Sequence, residues 1–313
     1  MAVPTLERLI AGRHAVVAVV SQPDRGRGRG RKRSPSPVSK LALEAGIPLL
    51  RPERVGAPEC AEELARHSPD IGVVVAFGQF LPKRIRELPT RGYLINAHAS
   101  LLPRYRGANP VARVIAAGER RTGISLMRIE REMDAGPVAL VREIEIDADE
   151  NTAELAERLA RVAAEAVAAG LDEIAADRVH WTEQDESRVS YAPKFEPEET
   201  RIDWSQEAEA LARLVRALAP RPGAVSELAG EPLRILAARA QDADTGGELP
   251  GTAFAGHGAG LRIATGRGWL LPLRLQRAGG KPVDVAAYLR GRPIPDGTRL
   301  GEAPPGSGGE MPS

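Results

Sequence analysis

The sequence predicts an α/β domain with a Rossmann-like, mostly parallel sheet, followed by a small domain of short strands. Three observations carry this. Short β-branched runs alternate with amphipathic helical stretches through the first half of the chain. A polar stretch with interspersed prolines breaks the pattern over 178–203. Beyond it, short apolar runs are separated by turns rich in Gly and Pro. Uninterrupted Val/Ile runs between helices indicate strands buried on both faces, as in a parallel sheet covered by helices.

The elements follow in order. The chain opens inside a helical pattern, VPTLERLIAG, where a doubly wound sheet usually opens with a strand. HAVVAVV (14–20), IPLL (47–50), DIGVVVA (70–76) and GYLINAH (92–98) are predicted strands. VSKLALEAG, APECAEELARH and NPVARVIAAGE have helical apolar spacing. TGISLMRIE (122–130) and PVALVREIEI (137–146) complete the sheet. Asn151 or Thr152 caps an Ala-rich helix running to about Ala176. After one more helix, QEAEALARLVRALA, come the short runs AVSEL, PLRILAAR, GTAFA, LRIAT and GWLLPLRL. With their turns they suggest a small barrel or sandwich. The predicted organisation is a domain at 1–178, a linker at 179–201, a second domain at 202–300 and a disordered, low-complexity tail at 301–313.

Composition narrows the function classes. The length of 313 residues allows about two domains, and 42% apolar residues is ordinary for a globular chain. A net charge of +1 selects neither a polyanion nor a membrane, so any such preference must come from local clustering. The single cysteine, Cys60, excludes a disulfide framework and a cysteine-rich zinc site, and lies in a helical pattern as a small core or near-surface thiol. The five histidines show no metal-ligand spacing, so no metal is expected. No apolar stretch approaches the roughly 20 residues that span a bilayer, and the N-terminus lacks the features of a signal peptide. The expected location is cytoplasmic, with no membrane partner, and the expected state is a monomer.

INAHASLLPRYRGANP (95–110) carries the chemistry. Asn96 and His98 lie two apart on a strand and project from the same face. They sit at its C-terminal end, the edge at which open α/β sheets bind ligands. An amide donor beside an imidazole suits acyl chemistry at a carbonyl: Asn holds the developing oxyanion, and His stabilises it or handles a proton. The competing reading is a His satisfied by backbone carbonyls. Asp134, in IEREMDAGPV, is either a carboxylate that orients His98 or a turn residue bonded to its own backbone. Ser100 lacks a Gly-x-Ser-x-Gly elbow, so no serine triad is indicated.

QPDRGRGRGRKRSPSP (22–37) concentrates Arg25, Arg27, Arg29, Arg31, Lys32 and Arg33. It satisfies neither the Gly-x-Gly-x-x-Gly nor the Gly-Lys-Ser/Thr pattern. A solvated charge run is the plain reading. Its exit from a strand at the ligand-binding edge suggests instead contact with a phosphate backbone.

Taken together, VVAVVSQPDRGRGRGRKRSPSPV, VVVAFGQFLPKRI, INAHASLLPRYRGANPV, TGISLMRIEREMDAGPV, YAPKF…RIDW and YLRGRPIPDGTRL resemble the methionyl-tRNA formyltransferases over nearly the whole chain. The Asn-x-His-x-Ser-Leu-Leu-Pro stretch with its downstream Asp is common to 10-formyltetrahydrofolate-dependent transferases. The resemblance implies an OB-like C-terminal barrel that helps hold tRNA. It implies formyl transfer from 10-formyltetrahydrofolate to the α-amine of Met on initiator tRNA. It makes Asn96, His98 and Asp134 catalytic, Asn96 and His98 stabilising the oxygen and Asp134 supporting His98 and proton transfer. It places folate among Phe77, Gly78, Leu81, Pro82, Ser100, Leu101, Leu102, Pro103, Met133, Gly136, Pro137 and Val138. The six basic residues at 25–33 become the tRNA-binding loop, Arg29 foremost.

The chain departs from the family at its start, where a strand and a Gly-Thr-Pro-x-Phe loop normally precede the Ala-Val-Pro of residues 2–4. That strand would lie mid-sheet beside HAVVAVV, and its loss would expose unpaired backbone in a core position. An upstream start is one expectation, and a truncated, non-catalytic folate- or tRNA-binding paralogue the other. DAGP and APRPG also depart from the usual family residues. Transfer to a small amine, such as a sugar or nucleotide, is the remaining alternative, and the long basic loop and second domain speak against it.

Overall fold

A computed structural model describes residues 1–27, 32–256 and 260–301, with the backbone alone at residues 25, 27, 32 and 33. Arg29 and Arg31, and all of the tail after Gly301, lie outside the described residues. The residues group into two units, Met1–Pro110 with Arg121–Glu145 and Ala156–Ala192, and Val111–Arg120 with Ile146–Leu155 and Pro193 onward. The stretch expected to link the domains divides between them, residues up to Ala192 belonging to the first unit.

The chain begins α1 (Ala2–Ile10), β1 (Val19–Val20), β2 (Arg25–Arg27), β3 (Lys32–Ser34), α2 (Pro37–Glu44), β4 (Leu49–Leu50), α3 (Pro58–Arg66), β5 (Gly72–Val74), α4 (Lys83–Arg86) and β6 (Leu94–His98). It continues through α5 (Pro110–Ala116), β7 (Arg121–Arg128), β8 (Val138–Glu145) and α6 (Thr152–Ala175). The helix starts are set by local chemistry. Ser36 Oγ accepts from Ser39 N–H at 3.0 Å, with Pro37 opening α2. Of the two candidate caps of α6, Asn151 serves. Its Oδ1 accepts from Ala153 and Glu154 N–H, while Glu154 Oε2 accepts from Asn151 N–H at 3.0 Å, closing a reciprocal capping box.

In place of one continuous layer there are two sheets. One pairs β1 with β4 in parallel, Val19 opposite Leu49. The other runs β5-β6-β7-β8. There β5 and β6 are parallel, while β6/β7 and β7/β8 are antiparallel. The short connection between β7 and β8 allows only a hairpin, because a parallel return needs a crossover of a dozen or more residues. The predicted strand 14–20 is reduced to Val19–Val20. Among the described residues, neither sheet supplies a ladder partner to residues 15–18. A groove of about 830 Å³ lies between the two sheets, lined by Val16, Val17, Val73 and Val75 and by Leu6 and Leu171 from α1 and α6. Cys60 is buried with Val55, Ile85 and Leu94, and burial pushes its thiol up from the ordinary value. The basic segment is not wholly irregular: β2 and β3 pair as an antiparallel ribbon, Arg27 opposite Lys32.

The second unit holds α7 (Ala208–Leu218), β9 (Ala224–Leu228), β10 (Glu231–Gln241), β11 (Thr252–Ala255), β12 (Leu261–Ala264), β13 (Trp269–Arg277), β14 (Val283–Asp284), α8 (Val285–Gly291) and β15 (Thr298–Arg299). The strands form one antiparallel sheet in the order β15-β11-β12-β13-β10-β9, with β14 added on β13. The sheet curls: a bridge between Leu228 and Leu300 and a bond from Gly301 N–H to Glu227 O join the two ends of this path. The result is an OB-like barrel with Leu211, Ile235, Ile263, Leu270 and Leu275 fully buried inside it. No helix among the described residues is long and apolar enough to cross a membrane.

Candidate active site

The site is built at the C-terminal end of β6. Asn96 lies opposite Val74 of β5 and Met127 of β7, and His98 opposite Ser125. The alternation predicted for this strand therefore holds, and Asn96 and His98 share a face. The Asn96 side chain is half-buried and makes no hydrogen bond to any described residue. His98 is 6% exposed. Its Nε2 lies 2.9 Å from Tyr105 O, which can only accept, so Nε2 carries a hydrogen. Nδ1 faces Asp134 Oδ2 at 3.6 Å, too far for a hydrogen bond. A backbone carbonyl thus satisfies one ring nitrogen, and a carboxylate faces the other.

Asp134 reaches His98 by a detour. β7 runs antiparallel to β6, so the loop after Arg128 starts at the wrong end of β6, and it folds back toward His98. Asp134 then sits at φ 55°, in the left-handed region. Its Oδ2 accepts from Gly107 N–H at 2.8 Å. Its Oδ1 accepts no hydrogen bond from a described residue. Tyr105 (φ 61°) and Ala76 (φ 48°), which follow β6 and β5, are left-handed as well, so half of the six such non-glycine residues among the described residues flank this site. Gly107 sits at φ 124°, where a side chain is strained, and a Cβ there would stand a tight 3.0 Å from Ala192 O.

The other expected site residues divide into two groups. Ser100, Leu101, Leu102 and Pro103 leave β6 beside the pair, and Ser100 is fully buried, its Oγ donating to Arg104 O at 2.6 Å. Ser125 Oγ donates to Ser100 O and accepts from Leu102 N–H, pinning this turn to β7. Gly136 and Pro137 are buried in the Asp134 loop, Val138 opens β8, and Met133 is 64% exposed. Phe77, Gly78, Leu81 and Pro82 leave β5 from the same sheet edge, since β5 and β6 are parallel. Phe77 and Leu81 also line the groove between the sheets, so their side chains are committed at least in part to that side.

Several supporting residues were not anticipated. Arg106, 3% exposed, donates from Nε and Nη2 to Gln184 Oε1 and pairs with Glu186. Gln184 Nε2 donates to Asp134 O at 2.8 Å and Gly136 O at 2.7 Å. Ser190 and Ala192 run beside the loop after β6, taking and giving backbone bonds at Tyr105, Arg106 and Asn109. The dense Pro-Arg-Tyr-Arg-Gly run after His98 signals such a loop. Nothing in the polar 179–192 stretch signals its partner.

Comparison with known proteins gives the arrangement its family. A family model described as formyl transferase matches residues 2–171, and one described as formyl transferase, C-terminal domain, matches residues 194–293. The methionyl-tRNA formyltransferase of Methylococcus capsulatus is 45% identical over 300 residues, 96% of each chain. That of Stenotrophomonas maltophilia is 44% identical over 286 residues, 91% of this chain and 92% of its own. Among solved structures, WlaRD, a sugar 3N-formyl transferase, matches with a TM-score of 0.66 at 16% identity, covering 90% of this chain and 95% of that one. HypX from Aquifex aeolicus, in complex with tetrahydrofolic acid, matches with a TM-score of 0.61 at 22% identity, covering 87% of this chain and 46% of that one. The two likenesses in structure speak to fold. The two matched domains and the full-length relatives establish that the chain belongs to the formyl transferase family.

Proposed function

We propose that this chain transfers a formyl group from 10-formyltetrahydrofolate to the α-amine of methionyl initiator tRNA. The observation that carries the chemistry is the unpartnered Asn96 amide beside the His98–Asp134 pair at the end of β6. The choice of acceptor rests on the relatives at 44–45% identity over more than nine-tenths of the chain, which are methionyl-tRNA formyltransferases.

The residues present fit a folate. The loops after β5 and β6 offer half-buried Phe77, Leu101 and Leu102 for a flat ring, and Gly78 with open space above it. 10-Formyltetrahydrofolate supplies the electrophilic formyl carbon. When the amine adds to that carbon, negative charge gathers on the formyl oxygen. Asn96 donates to that oxygen from an amide that gives up no protein bond to do so. His98 holds Nε2–H against Tyr105 O, so a protonated ring has Nδ1–H left to donate. The formyl carbon then parts from the folate nitrogen, so the attacking nitrogen must lose a proton and the departing nitrogen must gain one. Asp134 Oδ1 is the acceptor nearest at hand, because Oδ2 is taken by Gly107 N–H. The ribbon β2–β3, whose strands include Arg25, Arg27, Lys32 and Arg33, is proposed to meet the phosphate backbone of the tRNA acceptor arm.

The test is formyl transfer by the full 313-residue chain to Met-charged initiator tRNA, read by the mobility of the aminoacyl-tRNA in an acid gel. Transfer at about 1–10³ s⁻¹, the usual range for enzymes, is expected. Soluble, folded chain that leaves the tRNA unformylated overturns the proposal.

A further inference from the structure

We infer that Gln184 is a positioning residue for Asp134, an inference that rests on the reading of Asp134 as proton acceptor. The geometry carries it. Asp134 has a left-handed backbone, which an aspartate in a turn adopts at modest cost and its contacts hold in one place. Its turn lies between β7 and β8, and Gln184 grips that turn through both carbonyls it can reach, Asp134 O and Gly136 O. The amide cannot rotate to other partners. Its oxygen is fixed by two donors from Arg106, at 3.0 and 2.8 Å.

Arg106 is in turn over-determined. It is buried, its backbone pairs with Ser190 and Ala192, and its guanidinium is closed off by Glu186 at 2.7 Å. The next residue, Gly107, supplies the N–H that holds Asp134 Oδ2. Arg106–Gly107 thus controls the aspartate twice, by its carboxylate directly and by its backbone through Gln184. Oδ1 is left as the free atom of a carboxyl that has little room to turn. A side-chain amide with all four of its bonding positions used is expensive to build and has a plain use: it fixes where Oδ1 points.

The experiment is a double-mutant cycle on formyl transfer under single-turnover conditions. Gln184→Glu keeps the length of the side chain and its contact with Arg106, but sets a carboxylate oxygen against two carbonyls in place of two N–H donors. Misplacing a reacting group by about 1 Å costs roughly 10²-fold, so a fall of about ten- to a hundredfold in kcat is expected, with KM for the tRNA within about twofold. In an Asp134→Asn background the same substitution should cost less than about threefold, because its effect is already gone. A merely structural role would lower the melting temperature and add in full to the Asp134→Asn loss, which overturns the inference while leaving Asp134 catalytic. Asp134→Asn at the parent rate overturns the reading of Asp134 and the inference with it. If Gln184→Glu does not fold, Gln184→Met, which removes both donors without adding charge, enters the cycle in its place and is read the same way.

Discussion

Asn96→Ala tests the chemistry most directly. The side chain is half-buried, on a five-residue strand whose backbone is paired on both sides. Its amide bonds to no described residue, so truncation leaves no protein donor or acceptor stranded. A surface-type stability change, within about 0.5–1 kcal/mol, is therefore expected. The effect on turnover should be far larger. A donor aimed at a developing oxyanion contributes about 2.7–4 kcal/mol, or roughly 10²–10³ in rate. Single-turnover formylation, followed by acid-gel mobility of the tRNA, should fall by that factor, while the melting temperature moves by no more than about 2–4 °C. Asn96→Asp, which removes both donors and adds negative charge where negative charge develops, should fall at least as far. A rate for Asn96→Ala within about threefold of the parent refutes the oxyanion role. So does a rate loss matched by a large loss of stability, because the argument depends on an amide that the fold does not use.

Three further outcomes follow from the same reasoning. Ser125→Ala removes a fully buried hydroxyl that bridges Ser100 O at 2.7 Å and Leu102 N–H at 3.1 Å, and should cost about 1–3 kcal/mol in urea unfolding. Gly170→Ala puts a methyl against Leu126 Cδ2, on a side chain fully buried in β7, so the better helix former should still destabilise, by about 1–3 kcal/mol. The Glu199 carboxyl is held at about 2, chiefly by hydrogen bonds from Arg113 and next by Glu196 N–H. A depressed value means the stabilisation is full above the unfolded-state value of about 4.3 and is lost as pH falls toward about 2. Because the Glu199 side chain is 41% exposed, the screened effect should be about 1 kcal/mol, and melting between pH 5 and 2.5 should lose that slope in Arg113→Met.

Much of this was legible in the sequence, for physical reasons. Val/Ile runs bounded by helices marked β5 and β6. The two-residue period then put Asn96 and His98 on one face without any further information. The Asn151 cap was readable because capping is local. What failed to show was whatever depends on a distant partner. HAVVAVV has strand composition, yet only Val19–Val20 pairs, because a strand exists only where a neighbour supplies its ladder. β14, α8 and β15 are two to seven residues long, too short for a period to declare itself. Asp134 was recognisable as a candidate, but its arrival at His98 depends on a loop that starts from the opposite end of β6. Gln184 was invisible. A glutamine in a polar stretch has no pattern, and its role comes from meeting Arg106, 78 residues away along the chain.

The departure from the family pattern at residues 2–4 raised the alternative of a chain that binds but does not catalyse, and the open groove between the two sheets lies on the same side of the fold. The placement of the site argues against it. Asn96 and His98 lie on β6, which is paired on both sides, by β5 and by β7. The unpaired edge belongs to β5, one strand away. The contacts that orient the groups proposed to react run the other way, to β7 through Ser125, to the Asp134 loop, and to residues 184–192. None of them passes through β1, β4 or the groove. An open groove exposes apolar area and backbone, so its cost falls on stability. A loss of catalysis needs a displaced donor or acceptor, and the network that would have to yield is the one held by Arg106 and Gln184. Stability and turnover should therefore separate in this protein: substitutions at groove residues outside the folate loops, such as Val16, Val73 and Leu171, should move the first, and substitutions at Asn96, Asp134 and Gln184 the second.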